Sequence, residues 1–268
     1  MIALHARRSA EAIAAWHARH GDQRLALVLT GTDLYRDIAE DAAAQRSLAL
    51  AGRIVVLQSC GIAGLPDTCR SKAQVIYQSA PIRQSLPKSA YRLRAVMVGH
   101  LRSEKSPETL FAAARHLVDH TDIFIDHIGA ALDPALGDAA QATMAVCPNY
   151  RWLGALTHAE TRRRIQRAHL LIHASHMEGG AHVIIEAIQS GTPVLASRVD
   201  GNVGMLGEDY GGYFPWNDAE SLARQLITCR ASPALLDELW QQCRRRAALF
   251  SPAAEAQAVQ VLGRDLLG

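Results

Sequence analysis

Short apolar runs alternate with longer pieces of helical period along almost the whole chain. In the first third the runs are IALH (2–5), LALVLT (25–30), RIVVLQ (53–58) and QVIYQS (74–79), separated by helix-like segments such as SAEAIAAWHARH. A proline-bearing polar stretch without periodicity, APIRQSLPKSAYR, interrupts the pattern. It resumes with AVMVGH (95–100), IFIDHIG (123–129), YRWLG (150–154), LLIHAS (170–175), PVLAS (193–197) and GYFPW (212–216). Strands nearly continuous in Val, Ile and Leu that alternate with helices belong to parallel sheets covered on both faces. The pattern therefore predicts an α/β fold of two doubly wound units, over 1–88 and 89–250, followed by a helix over 251–268 that begins at a proline break.

The two halves are unequal, with four candidate strands in the first and six in the second. A complete doubly wound half carries five or six strands and opens on a strand, turn and helix. The first unit is thus expected to be incomplete, with roughly 50 to 60 residues of the natural fold lying upstream, at about 30 residues per βαβ unit.

Composition narrows the partners. The chain has 268 residues and is 49% hydrophobic, ample for buried cores. Its 28 basic and 26 acidic side chains leave a net charge of +2, which gives no general attraction to nucleic acid or membranes. The arginine runs at 162–164 and 244–246 sit in helix-like segments and read as solvated faces. Five cysteines, at 60, 69, 147, 229 and 243, show no C-x-x-C spacing, which argues against a disulfide framework and a zinc site. The first residues break into charge after four positions, and no run approaches the ~18 apolar residues of a membrane span. A soluble cytoplasmic protein is expected.

Candidate chemistry gathers in HMEGGAHVIIEAIQSGTPVLAS (176–197). LLIHAS reads as a strand, HMEGG as the turn leaving its carboxyl end, and GAHVIIEAIQSG as a helix stopped by Gly191. Ligands of open α/β sheets bind outside the carboxyl ends of strands, and helix starts attract anions. Gly179 and Gly180 are expected to let backbone approach a ligand closely. Eight residues along a helix rise about 12 Å, so Glu178 and Glu186 would share a side without reaching one ligand atom. They suit vicinal hydroxyls at two ends of one ligand, with a diphosphate between. Equally, Glu186 is open to reading as a surface helix position and Glu178 as a charge favoured by the helix dipole.

A second strand end, VGHLRSEKSPETL (98–110), leads into a helix starting at Pro107 and delivers Arg102 and Lys105 to the same sheet edge. Two cations facing a helix start form a metal-free cradle for a leaving diphosphate.

With these motifs in view, residues 2–250 resemble the retaining GT-B glycosyltransferases that carry an E-x7-E signature, here Glu178 to Glu186 followed by GTPVLAS, with a G-x5-K strand end at Gly99 to Lys105. The resemblance implies two Rossmann-like domains facing a cleft, the donor in the C-terminal domain, the acceptor in the N-terminal domain, and a final helix crossing back. It implies that Lys105 holds a diphosphate, that Glu178 with the backbone at Gly179, Gly180, Ala181 and His182 holds the sugar, and that Glu186 holds a ribose. His100 stands where the family has an arginine, whose phosphate role passes to Arg102. The phrases IALHARRSA, VLTGTDLYRDI, VIYQSAP, VGHLR and LGEDYGGYFP are similar to the selenosugar synthases of selenoneine biosynthesis, implying a UDP-sugar donor, a selenophosphate acceptor, and no separate cofactor or metal.

Selenophosphate is an anion and a strong nucleophile, so it needs cationic positioning more than a general base. His5, Arg7, Thr30, Gly31, Thr32 and Asp33 follow the first two strands and form the candidate acceptor set, with Arg8 and Arg36 nearby. A solvated helix start at Arg7 and Arg8, and a helix cap at Thr30 to Asp33, stay open as alternatives. A hydroxyl acceptor, and a non-catalytic nucleotide-sugar-binding role, stay open as well. His169 and His173 share no helical face that would point to a metal, and the four tryptophans are too widely spaced for a stacking platform.

Overall fold

Each of the ten apolar runs contributes a strand in the computed structural model, which describes residues 1–268, and every strand pair is parallel. The first sheet contains β1 (Ile2–Leu4), β2 (Ala26–Val28), β3 (Arg53–Val56) and β4 (Ala73–Val75), lying side by side in chain order. The second contains β5 (Leu93–Val98), β6 (Ile123–Ile128), β7 (Tyr150–Trp152), β8 (Leu170–His173), β9 (Val194–Ser197) and β10 (Tyr213–Phe214). Its spatial order is β10-β9-β8-β5-β6-β7.

Parallel strands need crossover connections, and helices supply them. The helices are α1 (Ala10–His20), α2 (Ile38–Glu40), α3 (Ala42–Leu50), α4 (Asp67–Arg70), α5 (Pro107–His116), α6 (Pro134–Val146), α7 (His158–Arg167), α8 (His182–Ile188), α9 (Asp200–Leu206) and, after the last strand, α10 (Ala219–Ala231), α11 (Pro233–Arg246) and α12 (Pro252–Leu267). Several start where side chains satisfy the free amide groups of a first turn. Asp41 accepts from Ala43 and Ala44, Asp133 from Ala135, Asp218 from Ser221, and Ser232 from Leu235. α5, α6, α11 and α12 also carry proline in the first turn, where its missing N–H costs nothing.

The central strands of the second sheet are covered on both faces. Leu170, Leu171 and Ile172 of β8 have no exposed surface, and each such side chain stabilises the fold by roughly 1.5–3 kcal/mol. The first sheet packs Leu25, Leu27, Ile54 and Val56 against Ile13 and Leu48 on one side. Its alternate residues Ala26 and Val55 face the other side, with Ile76, and meet Leu262 and Leu266 of α12. The C-terminal helix therefore covers the first sheet.

Two features differ from the sequence expectation and shape the site. Of the run QVIYQS, only its first residues lie in the ladder; beyond Ile76 the chain crosses toward the second sheet, with the Tyr77 hydroxyl donating to Gly204 O at 3.2 Å. The segment around Glu178 is not helical: α8 begins at His182, so the eight-residue spacing of Glu178 and Glu186 does not run along one helix. The reason lies in a distant contact. A Cβ on Gly179 would stand 2.4 Å from Gly31 N and 2.6 Å from Thr30 C, and one on Gly180 would stand 2.6 Å from Leu57 Cβ. These glycines let the two sheets approach one another, which holds residues 178–180 as a loop wedged against the first sheet.

Candidate functional site

In the second sheet the chain leaves β5 toward β6 and β7, then returns to lay β8 on the other side of β5. The connections diverge between β5 and β8, and that divergence opens a crevice at the carboxyl ends of these strands. A cavity of about 350 Å³ lies there, walled by Gly99, His100 and Lys105 from the β5 side and by Glu178 and the 180–183 segment from the β8 side. Leu156 and Thr161, near the start of α7, close it.

Local geometry aims Lys105 inward. Residues 103–105 form a single tight helical turn, and Ser106 adopts the left-handed conformation with φ +46°, held by the Trp216 indole donating to its hydroxyl at 3.1 Å. The Lys105 stem then packs over Gly99, where a Cβ would touch it at 3.4 Å. Its Nζ donates to Glu178 Oε1 at 2.5 Å. His173 Nε2 stands 3.2 Å from the same oxygen. Burial of Glu178 alone would raise its pKa; the His173 imidazole and the Lys105 ammonium overcome this and hold the carboxyl well below the usual range. Burial lowers the pKa of His173 in turn.

Glu186 sits one turn into α8, behind the cavity wall. His158 Nε2 lies 2.6 Å from its Oε1, Arg162 Nη1 3.4 Å and His182 Nδ1 3.6 Å. Burial would again raise the carboxyl, but His182, His158 and Arg162 lower it to about 2. The Glu186 carboxylate raises the pKa of His182, whose Nε2 also donates to Ser79 O at 3.1 Å. His158 owes its position to a capping box, in which Thr157 Oγ1 accepts from Glu160 N and the Glu160 carboxylate accepts from Thr157 N.

Of the residues expected on the donor side, the structure brings His100, Lys105, Glu178, Gly180, Ala181 and His182 onto one cavity wall. Three are not on it. Arg102 is half exposed at the rim, 4.0 Å from Glu104 Oε2, because the tight turn that directs Lys105 inward directs it outward. Gly179 faces Gly31 of the first sheet. Glu186 reaches the cavity only through His182. The sequence does not single out His158 or His173 for this site, although the Thr157-x-x-Glu160 pattern is a readable signal for the first; Arg162, expected on a solvated face, is instead buried at 1% exposure against Glu186.

The acceptor candidates form a separate network, and none lines the cavity. Asp33 is fully buried, with Oδ1 2.5 Å from His5 Nδ1 and accepting from Ala6 N, and with Oδ2 accepting from Thr30 N and Thr30 Oγ1. Every Asp33 oxygen is thus engaged within the protein, so the expectation that it meets a ligand is corrected: it braces the ends of β1 and β2. His5, with φ +69°, also has Nε2 3.4 Å from Thr32 Oγ1. Asp37 ties Arg7 at 3.3 Å and Arg36 at 3.1 Å. Arg7 and Arg36 remain about half exposed, and Arg36 and Arg102 both act on Glu104, lowering its carboxyl pKa after a hydrogen bond to its own backbone amide. A basic rim, Arg7, Arg36 and Arg102, therefore borders the junction of the two sheets.

Comparison with known proteins gives a family and a fold. The model of the family described as "Glycosyl transferases group 1" matches residues 78–248. A D-inositol 3-phosphate glycosyltransferase of Streptomyces bingchenggensis is 27% identical over 172 residues, which is 60% of this chain and 37% of that protein. The chain thus spans well under half the length of this curated relative. Among solved structures, HepE of Anabaena in complex with UDP and glucose matches with TM-score 0.78 and 16% identity, over 96% of this chain and 75% of that one. Sucrose-phosphate synthase of Thermosynechococcus elongatus matches with TM-score 0.74 and 20% identity, over 98% and 78%. TarM of S. aureus, in complex with UDP and other ligands, matches with TM-score 0.74 and 13% identity, over 90% and 50%.

Proposed function

The chain belongs to the glycosyl transferases group 1 family and has its α/β, GT-B fold, and from that premise we propose that it transfers a sugar from a nucleotide diphosphate sugar bound in the cavity between β5 and β8. The observation that carries this reading is Lys105, paired with Glu178 at the carboxyl edge of the second sheet. In it, the Lys105 ammonium and the backbone amides at 180–182 stabilise negative charge that grows on the diphosphate as the anomeric bond breaks. Glu178 accepts from sugar hydroxyls while keeping Lys105 oriented. Glu186 accepts from the ribose, once His158 releases it. UDP is the nucleotide of choice, because HepE and TarM, which share the fold, are found with UDP. Lys105 and amide hydrogens carry the charge in this reading, so EDTA leaves turnover unchanged.

The acceptor in this reading is selenophosphate. Support comes from the phrases shared with selenosugar synthases and from the basic rim of Arg7, Arg36 and Arg102, suited to an oxyanion approaching from the first sheet. The selenium atom attacks the anomeric carbon, a selenium–carbon bond forms, and UDP leaves with the electron pair of the broken bond. The test incubates the protein with a UDP-sugar and either selenophosphate or simple alcohols, and weighs the products by mass spectrometry. A selenosugar phosphate is expected. Transfer to alcohols alone refutes the acceptor and leaves the transferase; UDP binding without transfer to any acceptor refutes catalysis.

A further inference from the structure

On the opposite edge of the second sheet, at the amino ends of β5, β8 and β9, two hollows adjoin across His169. The larger, about 600 Å³, lies between the linker residues 82–88, the end of α8 and α11, with Arg83, Lys88, Trp240 and Arg244 on its wall. The smaller, about 270 Å³, is bounded by Ser89, Arg92, Arg94, Arg167 and His169, without an apolar residue.

Most cations of the two hollows lack an acidic partner. Arg94, on the wall of the smaller hollow, is engaged by Asp126, on which Arg151 and Arg164 also converge. Arg83, Lys88, Arg92, Arg167 and Arg244 have no carboxylate within ion-pair distance, and Asp237 is the acid on the walls. Lys88 is half buried, its Nζ donating only to Gly191 O at 3.3 Å, and burial lowers its pKa to about 8. Arg244 stacks over the Trp240 ring at 5.4 Å. His169 is a neutral strut: its Nδ1 accepts from Arg94 N, its Nε2 donates to Ser89 O, and burial lowers its pKa. It holds the linker to the sheet and divides the hollows.

Converging arginines fit the forked acceptor geometry of phosphate, and an ammonium held out of water without a counter-charge gains from an anion. The hollows are bounded and do not form a stripe, which suits a small ligand and not a polymer. We propose that they form a second anion site, distinct from the cavity at Lys105, for a small phosphorylated molecule, with phosphate between Arg92 and Arg167, Lys88 at the junction, and an apolar or ring-bearing body against Trp240.

The test is calorimetric titration of the full chain with inorganic pyrophosphate at low ionic strength, where such contacts are least screened. Two sites are expected. Replacing Arg92 and Arg167 together by Ala, both exposed, weakens one site at least about 10-fold and leaves the site that Lys105→Ala weakens. Lys88→Ala weakens the same site as the arginine pair. Phenyl phosphate is expected to quench tryptophan emission in the wild type and not in Trp240→Phe. A single site, abolished by Lys105→Ala and untouched by the other variants, overturns the proposal, as does quenching that Trp240→Phe preserves.

Discussion

Lys105 Nζ lies 2.5 Å from Glu178 Oε1, joining two strand ends 73 residues apart in sequence. Both side chains are mostly shielded from water, at 17% and 11% exposed. Removing one partner of such a pair leaves an uncompensated charge and costs about 3 kcal/mol or more. Lys105→Ala is therefore expected to lower thermal stability and, through loss of one preorganised charge, to lower kcat by roughly 100-fold or more. Near-normal turnover with a UDP-sugar would remove Lys105 from the mechanism.

The Glu186 cluster gives the protein a pH signature. Its carboxyl is lowered from 4.5 to about 2, so its contribution is complete above pH 4.5 and fades as pH falls toward 2. His182 is raised from 6.5, so its contribution is complete below 6.5 and is lost as pH rises through its folded value. Urea unfolding of the wild type and His182→Gln should therefore diverge most near pH 5.5 and converge at alkaline pH. A gap that widens with rising pH would contradict the pairing.

Gly179 and Gly31 set the spacing of the two sheets. Gly179→Ala puts a methyl group 2.4 Å from Gly31 N, against backbone that cannot rotate away. Overpacking of this kind costs typically 1–3 kcal/mol, and here it also displaces Glu178. Activity and melting temperature are expected to fall together. Gly263 in α12 meets nothing within 4 Å, so Gly263→Ala should raise stability by roughly 0.5–1 kcal/mol, the gain from removing glycine from a helix interior.

Asp33 separates bracing from acceptor contact. Asp33→Ala leaves Ala6 N, Thr30 N and His5 without their buried acceptor, at about 1–3 kcal/mol per unsatisfied group. Chemical denaturation should show a loss of at least about 3 kcal/mol. Unchanged stability with a raised KM for the acceptor would return Asp33 to the ligand.

The strands were legible because parallel strands buried on both faces read as unbroken apolar runs; LLIH and VLAS, wholly buried, are the clearest. Their order was not. Whether β8 lies beside β7 or beside β5 depends on which side of the sheet the chain returns to, and no local pattern encodes that. Lys105 and Glu178 could be assigned to strand ends, so their meeting followed once the sheet order was known. From sequence alone the Gly179–Gly180 pair reads as room for a ligand, because its neighbours, Thr30, Gly31 and Leu57, lie more than a hundred residues away. Asp33 looked like a ligand group or a cap since a lone sequence does not show that Ala6 and His5 turn toward it.

The most direct test is a crystal structure of the chain soaked with UDP. The diphosphate is predicted within hydrogen-bonding distance of Lys105 Nζ and of the amides at 180–182, in the crevice between β5 and β8. UDP bound elsewhere, with Lys105 and Glu178 still facing only each other, would contradict the account.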